Sequence, residues 1–158
     1  SSFNMAVNRS YIITLFNAIN SSSLFKGYLV HSNTSYNDNV TNGIIGFFAS
    51  SNSASGHVAN GSSVSIIRGT TFTDNQYYLL SQLVEGSVQQ QLYRNGVLNV
   101  QNTSLAISPE NTARSLDILF SSATGNDLRT NEAIIWESYQ SSNRTDIENN
   151  INLYYAIY

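Results

Sequence analysis

Tyr77-Tyr78-Leu79-Leu80-Ser81-Gln82-Leu83-Val84-Glu85-Gly86-Ser87-Val88-Gln89-Gln90-Gln91-Leu92-Tyr93-Arg94-Asn95-Gly96-Val97-Leu98-Asn99-Val100-Gln101 decides the fold of this chain. Two strand-like runs, Val88 to Arg94 and Val97 to Gln101, are separated by Asn95-Gly96 alone. A type I′ hairpin turn needs positive φ at both central residues, and Asn-Gly supplies that at the least steric cost. Glu85-Gly86-Ser87 reads as a second turn, so Tyr77 to Gln101 is a meander of three antiparallel strands. Working outward, Tyr11 to Ala18, Leu24 to His31, Gly43 to Ser50 and Ser62 to Arg68 are rich in β-branched and aromatic residues. Ser32 to Asn42 and Ser50 to Gly61 lie between them as Ser/Asn/Gly loops. In Ser115 to Phe120, Leu116, Ile118 and Phe120 alternate with Asp117, the pattern of a half-buried strand, and Glu132 to Glu137 is one more.

A helix is expected near the end, over Ser142 to Asn152. Thr145-Asp146-Ile147-Glu148 has capping-box spacing, with Ser142 or Asn143 as equally good caps. Ile147, Ile151 and Tyr154 or Tyr155 fall on one helical face. The sum is all-β: an antiparallel two-sheet jelly-roll β-sandwich with one short C-terminal helix. Residues 1–158 read as a single domain that starts without Met, hence a processed product or a piece of a longer protein, in which it would be the C-terminal part.

Composition narrows the function classes. The 158 residues are 41% hydrophobic, enough for a core, but only 11% charged, with net charge −3. Ser, Asn, Thr and Gln supply the missing polarity. Such a surface suits extracellular life, hydrogen bonding to sugars, or packing in an assembly. No Lys/Arg cluster offers a footprint for nucleic acid. Apolar runs such as Gly43 to Ala49 are too short for membrane insertion. With no Cys and only His31 and His57 as imidazoles, thiolate sites and a Ser-His-Asp triad have little to build on. Both histidines read as loop or strand-end polar residues. Sequons recur at Asn8, Asn20, Asn33, Asn39, Asn60, Asn102 and Asn143, largely as a result of Asn/Ser-rich composition.

Two stretches carry a resemblance. Leu92-Tyr93-Arg94-Asn95-Gly96-Val97 resembles the hairpin of concanavalin A-like and laminin-G-like jelly rolls. Glu132-Ala133-Ile134-Ile135-Trp136-Glu137-Ser138 with Gln140 to Ile151 resembles their closing strand and helix, most of all in C-terminal domains of marine phage and virus tail or fibre proteins. The resemblance covers about the last half of the chain. It implies a non-catalytic, lectin-like carbohydrate-binding domain on a virion or other extracellular surface. The glucanase relatives hydrolyse with two carboxylates on one strand. No Glu-x-Asp-x-x-Glu pattern occurs here, and Glu132 and Glu137, five residues apart, point to opposite faces. The chain therefore reads as not an enzyme.

The expected ligand site is Asp74, Asn75 and Tyr77, joined by Asn126 and Asp127 from a neighbouring loop. Acid and amide groups would hold sugar hydroxyl pairs, and a tyrosine ring would stack on the C–H face. An ordinary turn into a strand accounts for the same residues. Trp136, beside Ile134 and Ile135, reads as core or helix-facing. No cofactor is expected; Gly125-Asn126-Asp127 and Tyr36 to Asn39 are the loops that could offer oxygens to Ca²⁺, and each also reads as a plain turn. Surface glycans are the expected partners. The alternative is a purely structural virion decoration, fibre or extracellular filament domain, whose partners are copies of itself or other virion and extracellular proteins. The tail Leu153-Tyr154-Tyr155-Ala156-Ile157-Tyr158 fits such contacts, or packs on its own sandwich.

Overall fold

The computed structural model describes the backbone at 2–4, 8–17, 26–32, 45–50, 53–60, 62–73, 75–107, 113–121 and 128–158, and side chains within 53–60, 62–73, 75–107 and 131–158. In chain order the described elements are β1 (Ser2–Asn4), β2 (Asn8–Asn17), β3 (Lys26–Ser32), β4 (Ile45–Ser50), β5 (Ser53–Ala59) and β6 (Val64–Thr71). Then come β7 (Gln76–Glu85), β8 (Gln89–Arg94), β9 (Val97–Asn102), β10 (Ala113–Ser121), β11 (Leu128–Trp136) and α1 (Arg144–Tyr155). They form two antiparallel sheets, one of six strands ordered β1-β10-β3-β4-β5-β6 and one of five ordered β11-β2-β7-β8-β9. This is the two-sheet jelly roll with one C-terminal helix that the sequence pattern implies.

The meander β7-β8-β9 forms as expected. Asn95 and Gly96 take φ of 51° and 77°, the positive pair that a type I′ turn requires. Asn95 does more than turn the chain. Its Oδ1 accepts from the Leu79 N–H at 3.0 Å, and its own N–H donates to the Leu79 carbonyl at 2.9 Å, so the turn is pinned to β7. Gly86, with φ of 45°, closes the β7–β8 connection.

Alternation along β7 divides the two faces of its sheet. Tyr78, Leu80 and Val84 point inward and join Ala54, Val58, Ile67, Phe72, Leu92 and Leu105 in the main core. Burying each large side chain contributes roughly 1.5–3 kcal/mol. Leu79 points outward and meets Ile151 of α1, with Ile134, Trp136, Ile147, Tyr155 and Ile157 packed around them. β7 is therefore buried on both faces, by the opposite sheet and by the helix.

Two strands depart from the sequence expectation. β1 was not anticipated, and β5 lies inside the stretch 50–61 that reads as a loop. All seven residues of β5 are buried. Its small side chains follow from what faces them. A Cβ on Gly56 would sit 3.1 Å from Gln90 Nε2 and 3.2 Å from the Gln82 carboxamide carbon. Two buried glutamines thus fill the space between the sheets, and Gln82 Nε2 donates to the His57 carbonyl at 3.2 Å. His57 is accordingly no loop residue: it sits in mid-strand, 1% exposed. Burial, aided by Arg68, lowers its pKa to about 3, so the imidazole is neutral.

Where β6 and β9 meet at the edge of the sandwich, side chains join the sheets. The Thr70 N–H donates to Asn99 Oδ1 and Asn99 Nδ2 to Thr70 Oγ1, each at 2.9 Å. Gly69 allows this approach, since a Cβ there would fall 1.6 Å from Asn99 Oδ1.

Candidate functional site

After β11 the chain crosses the outer face of the five-stranded sheet. The Tyr139 hydroxyl accepts from Gln89 Nε2 at 3.1 Å and donates to Gln91 Oε1 at 3.2 Å, which fixes the crossing over β8. Asn143 then caps α1 by backbone position alone. Its Nδ2 donates to Gln140 Oε1 at 2.9 Å, so its side chain serves the preceding turn. The capping box at Thr145 does not form, because Glu148 turns inward instead of back toward the helix start. Arg144 donates to its Oε2, and Glu148 is 1% exposed. Burial holds the Glu148 carboxyl above its usual range, while Ser81 and Arg144 oppose that shift. The Arg144 guanidinium also lies over the Tyr93 ring and donates to the Gly96 carbonyl at 3.3 Å.

The far end of α1 is fixed by its own tail. Ala156 adopts left-handed φ of 50° and its N–H reaches the Asn152 carbonyl. Asn152 Oδ1 accepts from the N–H groups of Ile157 and Tyr158, and its Nδ2 donates to the Tyr158 carbonyl. The tail thus packs on its own sandwich, with Tyr158 against the Gly96 turn. Leu153 and Tyr154 stay more than four-fifths exposed.

Clamped in this way, α1 leaves a cleft of about 520 Å³ between itself and β11. Ile134, Ile147 and Ile151 give it an apolar lining, Trp136, Tyr154 and Tyr155 supply aromatic rings, and Glu132 and Asn150 supply the polar groups. Glu132, Ile134 and Trp136 share one face of β11 because strand side chains alternate. Tyr154 and Tyr155 meet edge to face at 4.8 Å. Burial, followed by the Glu132 charge, raises the pKa of the Tyr155 hydroxyl. A half-enclosed apolar space of this size with a few convergent polar groups is the usual form of a small-ligand site.

Of the residues expected to bind ligand, Asp74, Asn126 and Asp127 lie outside the described residues, as do the loop 36–39 and the side chain of His31. Asn75 takes positive φ of 61° in the turn before β7, and Tyr77 is 47% exposed. The strand register relates Tyr77 to the cleft. Leu79, Thr14 and Glu132 stand in one row across β7, β2 and β11, and Tyr77, Phe16 and Arg129 in another. Tyr77 and Glu132 therefore occupy the same sheet face, roughly 12 Å apart by strand geometry. Glu137 lies past the end of β11 and is exposed, so the two acids do not share the strand. Among the described residues no group of three His, Asp or Glu could hold a metal ion, and no helix is long and apolar enough to cross a membrane.

The cleft was legible only in part. Trp136 does face the helix, as its position implies, but the joint role of Glu132, Asn150 and Tyr154 escaped sequence reading. The available signal was the alternation Glu132-Ile134-Trp136 combined with the helical spacing of Ile147, Ile151 and Tyr154 or Tyr155.

No family model and no curated protein matches the sequence. Solved structures do match the fold. The binding domain of botulinum neurotoxin DC in complex with SialylT superposes with a TM-score of 0.72 at 11% identity, over 93% of this chain and 36% of that one. The same binding domain in complex with rat synaptotagmin II gives 0.69 at 10%, over 94% and 37%. A structure of botulinum neurotoxin type C, whose cell entry depends on interaction with two ganglioside molecules, gives 0.66 at 12%, over 94% and 36%. The chain is similar in fold to these toxin binding domains, and it spans a little over a third of their length.

These matches overturn the resemblance to marine phage and virus tail or fibre proteins, and with it the virion setting. The physical reason lies in the motif. An Asn-Gly hairpin, a closing strand and a short helix are what closing a jelly roll demands, so they mark the fold and not the source.

Proposed function

We propose that this chain is a non-catalytic, lectin-like domain of an extracellular protein that binds glycans on the outer face of its five-stranded sheet. The observation that carries the reading is the cleft between β11 and α1. It combines three aromatic rings with a carboxylate and an amide. A sugar ring offers one face of C–H groups, which stacks on aromatic side chains, and hydroxyl pairs, which planar polar groups hold. The solved domains of this fold found with SialylT or dependent on gangliosides support that choice of ligand. Tyr77, on the same face, extends the surface, and Asp74, Asn75, Asn126 and Asp127 remain proposed ligand residues on chemical grounds alone.

One shallow site of this kind binds weakly, in the range of about 10 μM to 1 mM. Adhesion then requires several copies acting together. The test is a glycan array probed with the domain displayed multivalently, beside Tyr154→Ala and a Tyr77→Ala/Asp74→Ala double variant. Binding lost in Tyr154→Ala supports the cleft, and binding lost in the double variant supports the loop. Binding to no glycan would refute the function. A protein ligand is the second reading, favoured by the domain of this fold in complex with synaptotagmin II and by the exposed Leu153 and Tyr154 here.

A further inference from the structure

We infer that the β11–α1 cleft takes N-acetylated hexosamines in preference to the parent hexoses, with Asn150 as the residue that makes the distinction. This rests on the glycan-binding reading above and goes further by naming the sugar class and its determinant. Ile147, Asn150, Ile151 and Tyr154 all line the cleft. Residues three, four and seven apart on a helix share one face, so these four form a single stripe along α1. The Asn150 carboxamide is thus set among aliphatic side chains, with Ile134 of β11 lining the same space.

The fold makes no use of that carboxamide. Elsewhere on α1 and at its cap, Asn143 donates to Gln140, and Asn152 bonds the tail at Ile157 and Tyr158. Asn150 is exposed, and among the described residues its side chain has no hydrogen-bond partner. An acetamido group differs from the hydroxyl it replaces in two ways that match this wall. Its methyl gains by covering Ile147 and Ile151, where a hydroxyl gains nothing. Its carbonyl, brought against the same apolar surface, needs a donor there, because an unmet polar group is costly. Asn150 Nδ2 is such a donor. Together these two gains favour the acetylated sugar by about ten-fold. Trp136 and Tyr154 offer ring faces to both sugars alike and do not enter the choice. Glu132 has an interaction of its own, and its charge does not enter the choice either.

The experiment displays the intact 158-residue chain multivalently against albumin-borne probes in matched pairs. N-acetylglucosamine is set against glucose, and N-acetylgalactosamine against galactose, so only the group on the second carbon differs within a pair. The acetylated member of at least one pair should bind about ten-fold more tightly. Because the groups that decide are uncharged, that ratio should hold between about 0.05 and 0.5 M salt. Asn150→Leu and Asn150→Ala each remove the donor at an exposed position. Both should bring the ratio to about two-fold or less, chiefly by weakening the acetylated member. Equal binding within both pairs, a ratio that collapses with salt, or one that either substitution leaves unmoved would overturn this inference and leave glycan binding standing. Binding to no sugar at all would overturn both.

Discussion

The guanidinium of Arg144 lies 3.7 Å from the centre of the Tyr93 ring, tying the first turn of α1 to the hairpin at the far side of its sheet. The same side chain donates to Glu148, the Gly96 carbonyl and the Thr145 hydroxyl, so four contacts end on one residue. Arg144→Ala should destabilise the domain by about 2–4 kcal/mol, because it strands a buried carboxylate as well as removing the stacking. Chemical denaturation measures this. Glu148→Gln should cost far less, since it removes the charge that burial disfavours.

The Asn95-Gly96 turn gives a second expectation. Gly96 holds φ of 77°, and a Cβ there would lie 3.0 Å from the Tyr158 hydroxyl. Gly96→Val should lower stability by about 1–3 kcal/mol, through the disfavoured backbone and the contact with the tail. A melting midpoint equal to the wild type would refute the account of this turn.

The edge between β6 and β9 can be tested by coupling. Gly69→Ala displaces the Asn99 amide and its two bonds to Thr70, for a cost of about 1–3 kcal/mol. In the Asn99→Ala background the clash disappears, so the added Gly69→Ala should cost much less there. Full additivity would show that the two residues do not meet.

His57 sets a pH dependence. Its pKa falls to about 3 in the fold from 6.5 in the open chain, so the unfolded state binds the extra proton. Its contribution is complete above pH 6.5 and is lost as pH falls toward 3, by up to about 1.4 kcal/mol per unit. Glu148, with a raised pKa, acts in the opposite sense: its burial cost is relieved as pH falls through its folded value. His57→Gln should flatten the loss of stability between pH 6.5 and 5, whatever its effect at neutral pH. A slope unchanged by the substitution would place the acid sensitivity in another group.

The fold was readable where turn chemistry and alternation act locally. Asn95-Gly96, the β7 pattern and the helical spacing of Ile147 and Ile151 each depend on neighbours in sequence. β5 was not readable. Its Ser-Ala-Ser-Gly run looks like a loop, and only Gln82 and Gln90, more than twenty residues away, explain why small side chains are required there. His57 reads as a loop or strand-end residue for the same reason. Glu148 reads as half of a capping box because spacing does not reveal a buried partner such as Arg144. The cleft needed the packing angle of α1 on β11, which the tail and the Arg144 clamp set through long-range contacts.

Trp136 is the only tryptophan in the chain and it lines the cleft, so its emission reports on the proposed site directly. Titrating the domain with the best neutral glycan from the array should shift or quench that emission saturably, at about 10 μM to 1 mM. Tyr154→Ala should weaken the titration several-fold without moving the melting midpoint. Glycan binding that leaves Trp136 emission unchanged, and that Tyr154→Ala does not affect, would contradict the assignment of the site to this cleft.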